Sequence, residues 1–325
     1  MTRPLVLALF LACFFLVPGC GGGGGTIAVV VGSKVIFYRL NGVDLTHEVW
    51  IMDIDGTNEL NLTNHAAEDL NGSLSPLGTR IVFESHRDGS RNIWTMRPDG
   101  SGLQQLTTGG TFNNLPRYNP AGTRIAWTRS SDIWIMAANG SGQDNLTDGA
   151  GSNSSLAFSP DGTQIVFQTN RDGNVEIYVM DSDGLNPTRL TNSALLDTTP
   201  VFNHDGSKIL WIRGDDIWRM DSNGDNQENL TNTLEVEGTP AVTPNGSKVV
   251  YVRDGNIWSM DPDGTNQTEL TNTAESEFDL VISPDGSVVV YSLSGVTSNI
   301  WIMTIDGNNE TQLTAAATDD FRPKF

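Results

Sequence analysis

The chain has 325 residues, with 39 Asp and Glu against 19 Lys and Arg, and a formal net charge of −20. A field of that sign repels phosphate backbones and anionic lipid, which excludes nucleic acid and charged membrane surfaces as electrostatic partners. Only Cys13 and Cys20 are present, both near the N-terminus, so residues 21–325 offer no thiol for a disulfide, a zinc site or a nucleophile.

Arg3 precedes an apolar run from Leu5 to Val17, the pattern of a secretory signal peptide and too short for a comfortable membrane span. The run ends in Leu16-Val17-Pro18-Gly19-Cys20, which resembles a bacterial lipobox with Pro18 in place of the usual small residue. That resemblance implies removal of residues 1–19 and lipidation of Cys20. Residues 20–26, with Gly21 to Gly25, read as a flexible tether. The absence of Asp directly after Cys20 fits, by the same resemblance, retention at the outer membrane. The expected location is the cell envelope, lipid-anchored at the periplasmic face of the outer membrane or at the cell surface. The plain alternative is ordinary cleavage and secretion.

From residue 27 onward one phrase recurs. Its copies are Val49-Trp50-Ile51-Met52, Ile93-Trp94-Thr95-Met96, Ile133-Trp134-Ile135-Met136, Ile177-Tyr178-Val179-Met180, Ile217-Trp218-Arg219-Met220, Ile257-Trp258-Ser259-Met260 and Ile300-Trp301-Ile302-Met303. The step of 40 to 44 residues between copies lies in the period range of four-stranded propeller blades. The fullest unit runs Ser159-Pro160-Asp161-Gly162, Ile165-Val166-Phe167, Arg171-Asp172-Gly173, Ile177 to Met180, Asp183-Gly184 and Leu190-Thr191. Pro presets φ at the first turn, Gly supplies positive φ, and the β-branched and aromatic runs between turns read as strands. Each unit is therefore predicted to be four antiparallel strands, A to D. One such sheet cannot bury both faces alone, so the units must stack radially. The predicted fold is all-β, a seven-bladed β-propeller over residues 27–325. The blade interfaces are expected to be filled by the strand B aromatics Phe37, Phe83, Trp127, Phe167, Trp211, Tyr251 and Tyr291, with the aromatic and Met pairs of strand C.

The order S-P-D-G, aromatic strand, R-D-G, I-W-x-M-D-x-D-G and L-T resembles the WD40-like PD repeats of TolB-type β-propellers, also present in the propellers of prolyl oligopeptidase relatives. Asn119-Pro120-Ala121-Gly122 and Asn203-His204-Asp205-Gly206 depart from the first turn. Ring closure has two readings. Asp320 to Phe325 reads as a strand A that completes blade one from the far end of the chain, while Ile27 to Val31 before Gly32-Ser33-Lys34 is the competing strand A.

Just before strand A the units carry Asp69, Asn113, Asn153, Asp197, Glu237, Glu277 and Asp320. Strand A is innermost in the family resembled, which implies that these residues circle one mouth of the channel. Such a ring would suit a cation or the basic start of a peptide. At the end of strand B stand Arg39, Arg87, Arg129, Arg171, Arg213 and Arg253, with Leu293 and Ser294 in the seventh unit. Strand B runs opposite to A, so acid and arginine can pair blade by blade and act as a structural rivet, leaving Glu277 the carboxylate without a matching arginine.

The Asp-x-Asp-Gly segments Asp53 to Gly56, Asp181 to Gly184 and Asp261 to Gly264 lack the remaining EF-hand ligands and read as turns. His47, His65, His86 and His204 have no metal spacing and are expected in surface loops or turns. No metal, cofactor or catalytic motif is read from the repeat region: G-x-S-x-G, H-E-x-x-H and G-x-G-x-x-G do not occur in residues 27–325. The expected function is a monomeric, non-catalytic module that binds a protein or peptide partner of the cell envelope at its channel face. Contacts would come from the D–A loops, including residues 111–116 and 149–155 and those of blades six and seven. The alternative is a propeller enzyme, a carbohydrate lyase or hydrolase, working through the same carboxylates.

Overall fold

A computed structural model describes residues 34–109, 112–238 and 240–325 of the protein. The leader, Cys20, the Gly-rich tether and the competing strand Ile27 to Val31 lie outside the described residues.

Those residues form seven four-stranded antiparallel sheets, one per predicted unit. Blade five is representative: strand A is Asp197–Phe202, B is Lys208–Arg213, C is Asp216–Asp221 and D is Glu228–Asn229. The aromatic stripes meet across strands B and C, where Trp211 faces Trp218 in register with ring centroids 6.2 Å apart. Every strand B aromatic of the stripe is fully buried, and so are the strand C methionines. Alternate residues of a strand point to opposite sheet faces, and here both faces are apolar. Val166, Ile177 and Val179 of blade four therefore pack on Ile209, Trp211 and Met220 of blade five. Burying one such side chain stabilises the fold by about 1.5–3 kcal/mol, and the pattern repeats at each interface.

Closure follows the first of the two readings. Asp320–Lys324 is the innermost strand of blade one and pairs antiparallel with Lys34–Leu40, matching Tyr38 to Phe321 and Arg39 to Asp320. Blade one then packs on both neighbours. Val35, Phe37 and Met52 meet Val288, Val290 and Ile300 of blade seven. Ile36, Tyr38 and Val49 meet Ile81, Phe83 and Met96 of blade two.

Strand D is two residues long in every blade, because the Leu-Thr that follows it takes over the ladder. The Leu amide still donates to the strand C carbonyl, as Leu230 N does to Ile217 O at 2.9 Å. The Thr side chain then accepts the strand C amide: Thr231 Oγ1 receives Ile217 N at 3.0 Å and Thr271 Oγ1 receives Ile257 N at 2.8 Å. The two departing A–B turns keep their geometry because Asn119 and Asn203 each accept the backbone amide five residues on at 2.9 Å, as Ser159 Oγ does from Gln164 N. The glycine at the end of these turns is required. Gly206 has φ +73°, and a Cβ there would stand 3.3 Å from Pro160 of the preceding blade.

Strand A carries an irregularity in each blade where its pairing could be followed to both ends: register shifts between Leu70 and Ser73 in blade two and between Thr198 and Val201 in blade five. At the shift the third residue of the strand has positive φ, as at Asn71, Leu115, Ser155, Thr199, Asp279 and Arg322, which lie between 49° and 54°. A bulge of this kind bends the strand, and here it bends the innermost strand along the channel wall.

A chain truncated after Asp319 loses the inner strand of blade one and exposes the seam. Its urea midpoint is expected far below that of the full chain, and equal midpoints would show that closure contributes nothing to stability.

Candidate functional site

The seven sequence-predicted ring residues each occupy the first position of strand A or its equivalent bridge, one residue further in than expected. All are buried, with Glu237 the most exposed at 4%. Register sets each beside the end of strand B, the last position in blades two to seven and the last but one in blade one, so Asp197 pairs with Arg213, Asp320 with Arg39 and Glu277 with Leu293.

The arginines close on the acids. Arg39 donates from Nε and Nη2 to Asp320 at 2.6 and 2.9 Å, and Arg213 does the same to Asp197 at 2.7 and 2.9 Å. Arg87 Nη2 reaches both Asp69 oxygens at 3.1 Å, and Arg253 Nε reaches Glu237 Oε1 at 2.9 Å. In blade four Arg171 Nη2 donates to Asn153 Oδ1 at 3.2 Å. In blade three Asn113 Oδ1 accepts from Trp127 Nε1 at 2.9 Å. Arg87 and Arg171 reach the same place from the B–C turn, two residues past the strand.

Each of the six guanidinium groups also lies on the strand C aromatic, at 4.3 Å from the ring centroid for Arg39 on Trp50 and 5.1 Å for Arg87 on Trp94. Cation–π contact with a desolvated ring adds to the ion pair. Burial pushes the carboxyls of Asp69, Glu237 and Asp320 up, and the facing arginine pulls each back down.

Blade seven differs. Glu277 accepts from Thr271 Oγ1 at 3.0 Å and Thr273 Oγ1 at 2.7 Å, and has no cation partner among the described residues. Burial raises its pKa, and nearby Glu310 raises it further.

Inside the channel the charge changes sign, which the sequence reading missed. Arg322 stands at the centre between neighbouring blades, with Nη1 3.3 Å from Asn71 Oδ1 and Nε 3.8 Å from Asp279 Oδ2. Arg117 and Lys324 lie two residues further along their own strands A, and neither has an ion pair among the described residues. Burial, with Arg117 and Arg322 nearby, lowers the Lys324 pKa to about 8. A cavity of about 690 Å³ opens from here toward the A–B turns, lined by Arg117, Tyr118, Phe158, Pro284 and Phe325. A cationic residue four places after the ring residue was the available signal.

The turn acids are used locally. Asp261 binds Lys248 at 2.7 Å and Asn266 at 2.6 Å, and Asp263 accepts from the Thr265 amide at 3.1 Å. His47 opens strand C of blade one instead of lying in a loop, half-buried against Phe321 at 4.9 Å. The other three histidines sit in loops or turns as expected.

The family model of the TolB beta propeller domain, PD40, matches residues 32–154 and 116–325. The chain belongs to the TolB beta propeller family. Among curated relatives, the TolB homolog of Chlorobium chlorochromatii is 26% identical over 147 residues, which is 45% of this chain and 33% of that protein. The homolog of Chlorobium luteolum is 28% identical over 145 residues. The match thus spans about a third of the length of these TolB homologs, 33% in each. TolB from Acinetobacter baumannii superposes with a TM-score of 0.60 at 20% identity, covering 90% of this chain and 66% of that one. An oligogalacturonate lyase from Vibrio parahaemolyticus gives 0.69 at 14% identity, covering 89% and 87%. Likeness at such identity is one of fold, and TolB-like propellers share it with enzymes.

Two outcomes test the ring. Arg213→Ala strands the Asp197 carboxylate in the interior and is expected to cost about 3–5 kcal/mol in urea unfolding; a loss below 1 kcal/mol would deny the rivet. Glu277 has a folded pKa above the roughly 4.3 of an unfolded Glu, so its contribution to stability is full below that value and is lost as pH rises through the folded pKa. Glu277→Gln is therefore expected to raise the melting temperature at neutral pH, with the gain shrinking toward about pH 4; a gain independent of pH would contradict it.

Proposed function

We propose that this protein is a non-catalytic interaction module of the cell envelope that holds a protein or peptide partner on the face where the D–A and B–C loops emerge. One observation carries the reading. Large apolar side chains project from those loops around the same mouth: Val43 at 94% exposure, Leu234 at 101% and Val296 at 107%, with Phe112, Leu195 and Leu196 each more than half exposed. Apolar side chains gathered around one opening mark interaction surfaces. The ring residues Asp69, Asn113, Asn153, Asp197, Glu237, Glu277 and Asp320 are buried where the D–A loops end.

Membership of the TolB-like family supports the reading, as does the signal-like leader. We place the protein outside the cytoplasm, tethered through Cys20 as a monomer. The catalytic alternative calls for two free carboxylates close together. Asp69, Asp197, Glu237 and Asp320 are each bonded to an arginine, which leaves Glu277 of the ring, with Glu310 near it outside the ring.

The test is retention of partners from envelope extract on immobilised residues 26–325, compared with Leu234→Asp and Phe112→Asp. A protein retained specifically by the parent and lost by both variants is the expected result. Retention unchanged in both would remove the loop face from consideration.

A further inference from the structure

Blade six shows what the corresponding place in blade seven is built to hold. In blade six Arg253 donates from Nε to Glu237 at 2.9 Å and from Nη2 to Gln267 Oε1 at 2.7 Å and the Tyr251 hydroxyl Oη at 3.1 Å, and lies 4.6 Å from the Trp258 centroid. Glu237 is held from below by Thr231 and Thr233. Blade seven repeats this set with Glu277, Glu310, Tyr291, Trp301, Thr271 and Thr273. The departure is at the cation, where Leu293 takes the register position of Arg253.

Four further observations concern the vacated place. Beside it lies an open pocket of about 420 Å³ lined by Trp301, Glu310, Glu275, Leu293, Ser294 and Asn299, among others, with Glu277 buried outside the lining. The acceptor that is Gln227 in blade five and Gln267 in blade six is Glu310 here, as it is Glu59 beside Arg39 in blade one, so a second negative charge stands where the cation is missing. Tyr291 donates its hydroxyl to Glu310, whereas the Tyr251 oxygen accepts from Arg253. The buried Asn299 Oδ1 in the pocket wall has no hydrogen-bond partner.

We propose that the blade-seven pocket is a receptor for the guanidinium side chain of an arginine on the partner peptide. The side chain would lie on Trp301 with its charge against Glu310, while Glu277, buried and outside the pocket lining, would add its field, so that blade seven gains from the partner the cation–aromatic contact that the other blades make internally. The fork of the guanidinium suits two acceptors at an angle, and its flat face suits the indole. The rim residue Val296 and the loop residues above it would hold the flanking peptide. The proposal rests on the reading of this face as an interaction surface, and names the chemistry it selects.

The direct test is calorimetric titration with acetyl-arginine amide and its uncharged isostere, acetyl-citrulline amide. The parent is expected to bind the arginine probe roughly tenfold more tightly than the citrulline one. Leu293→Arg fills the pocket from within and is expected to abolish binding of the arginine probe while raising the melting temperature. Glu310→Gln, which copies the blade-six acceptor, is expected to weaken it several-fold. Equal affinity for the two probes, no binding by the parent, or undiminished binding by Leu293→Arg would each overturn the proposal. Retention of envelope partners is scored separately. A partner held equally by the parent and Leu293→Arg would leave the interaction face standing and remove the arginine receptor.

Discussion

A four-stranded sheet with two apolar faces has no stable existence alone, and this requirement governs the rest of the molecule. Each blade must find a neighbour on both sides, so the array has to close on itself. Closure needs seven nearly identical interfaces, and it explains why the same aromatic and Met stripe recurs with so little drift. Trp211 in blade five, Phe167 in blade four and Phe37 in blade one fill equivalent volumes with different rings. It also explains why the turns are tight. The C–D glycines sit against the Leu of the preceding blade, as Gly264 does with a Cβ position 2.8 Å from Leu230 O, and a side chain there would wedge the ring open.

The rivets follow from the same stacking. At the inner end of each interface strand A begins, its first side chain is taken out of water, and a buried carboxylate needs a counter-charge. The arginine from strand B supplies it and covers the aromatic rim of strand C as well. One side chain therefore ties three strands of a blade together. Where Leu293 replaces it, the carboxylate, the ring and the flanking threonines all remain, which makes blade seven chemically unlike the others at a position where it is geometrically the same.

Most of the architecture was legible in the sequence, because the features that build a blade are local: turn glycines, alternating apolar strands and the Leu-Thr pair recur at one period. The ring and its arginines were legible for the same reason, being fixed points relative to those turns. Closure by Asp320–Lys324 was readable as one of two options, since the seam is the place where repetition stops. The bulge residues were not. Asn71, Leu115, Ser155, Thr199, Asp279 and Arg322 share a backbone conformation and no side-chain type, so nothing in the sequence marks the bend. The channel cations escaped notice because Arg117 and Lys324 belong to different blades and meet only after the ring has formed. The exposure of Leu234 and Val296 was likewise invisible, since an apolar residue in a loop looks the same whether it packs or projects.

The seam has a consequence for the order in which the molecule can form. Arg39 and its partner Asp320 are 281 residues apart, so the inner edge of Lys34–Leu40 stays unpaired until the chain has been made through Asp320 and the other blades have assembled. An open edge flanked by apolar faces invites any extended strand of matching pattern. The best match is the same terminal segment on another copy, and an exchange of that strand would link two rings without a new contact. Joining the ends within one chain competes with that exchange only because the intervening six blades hold them close, so the stacking of the blades protects the protein against its own concentration.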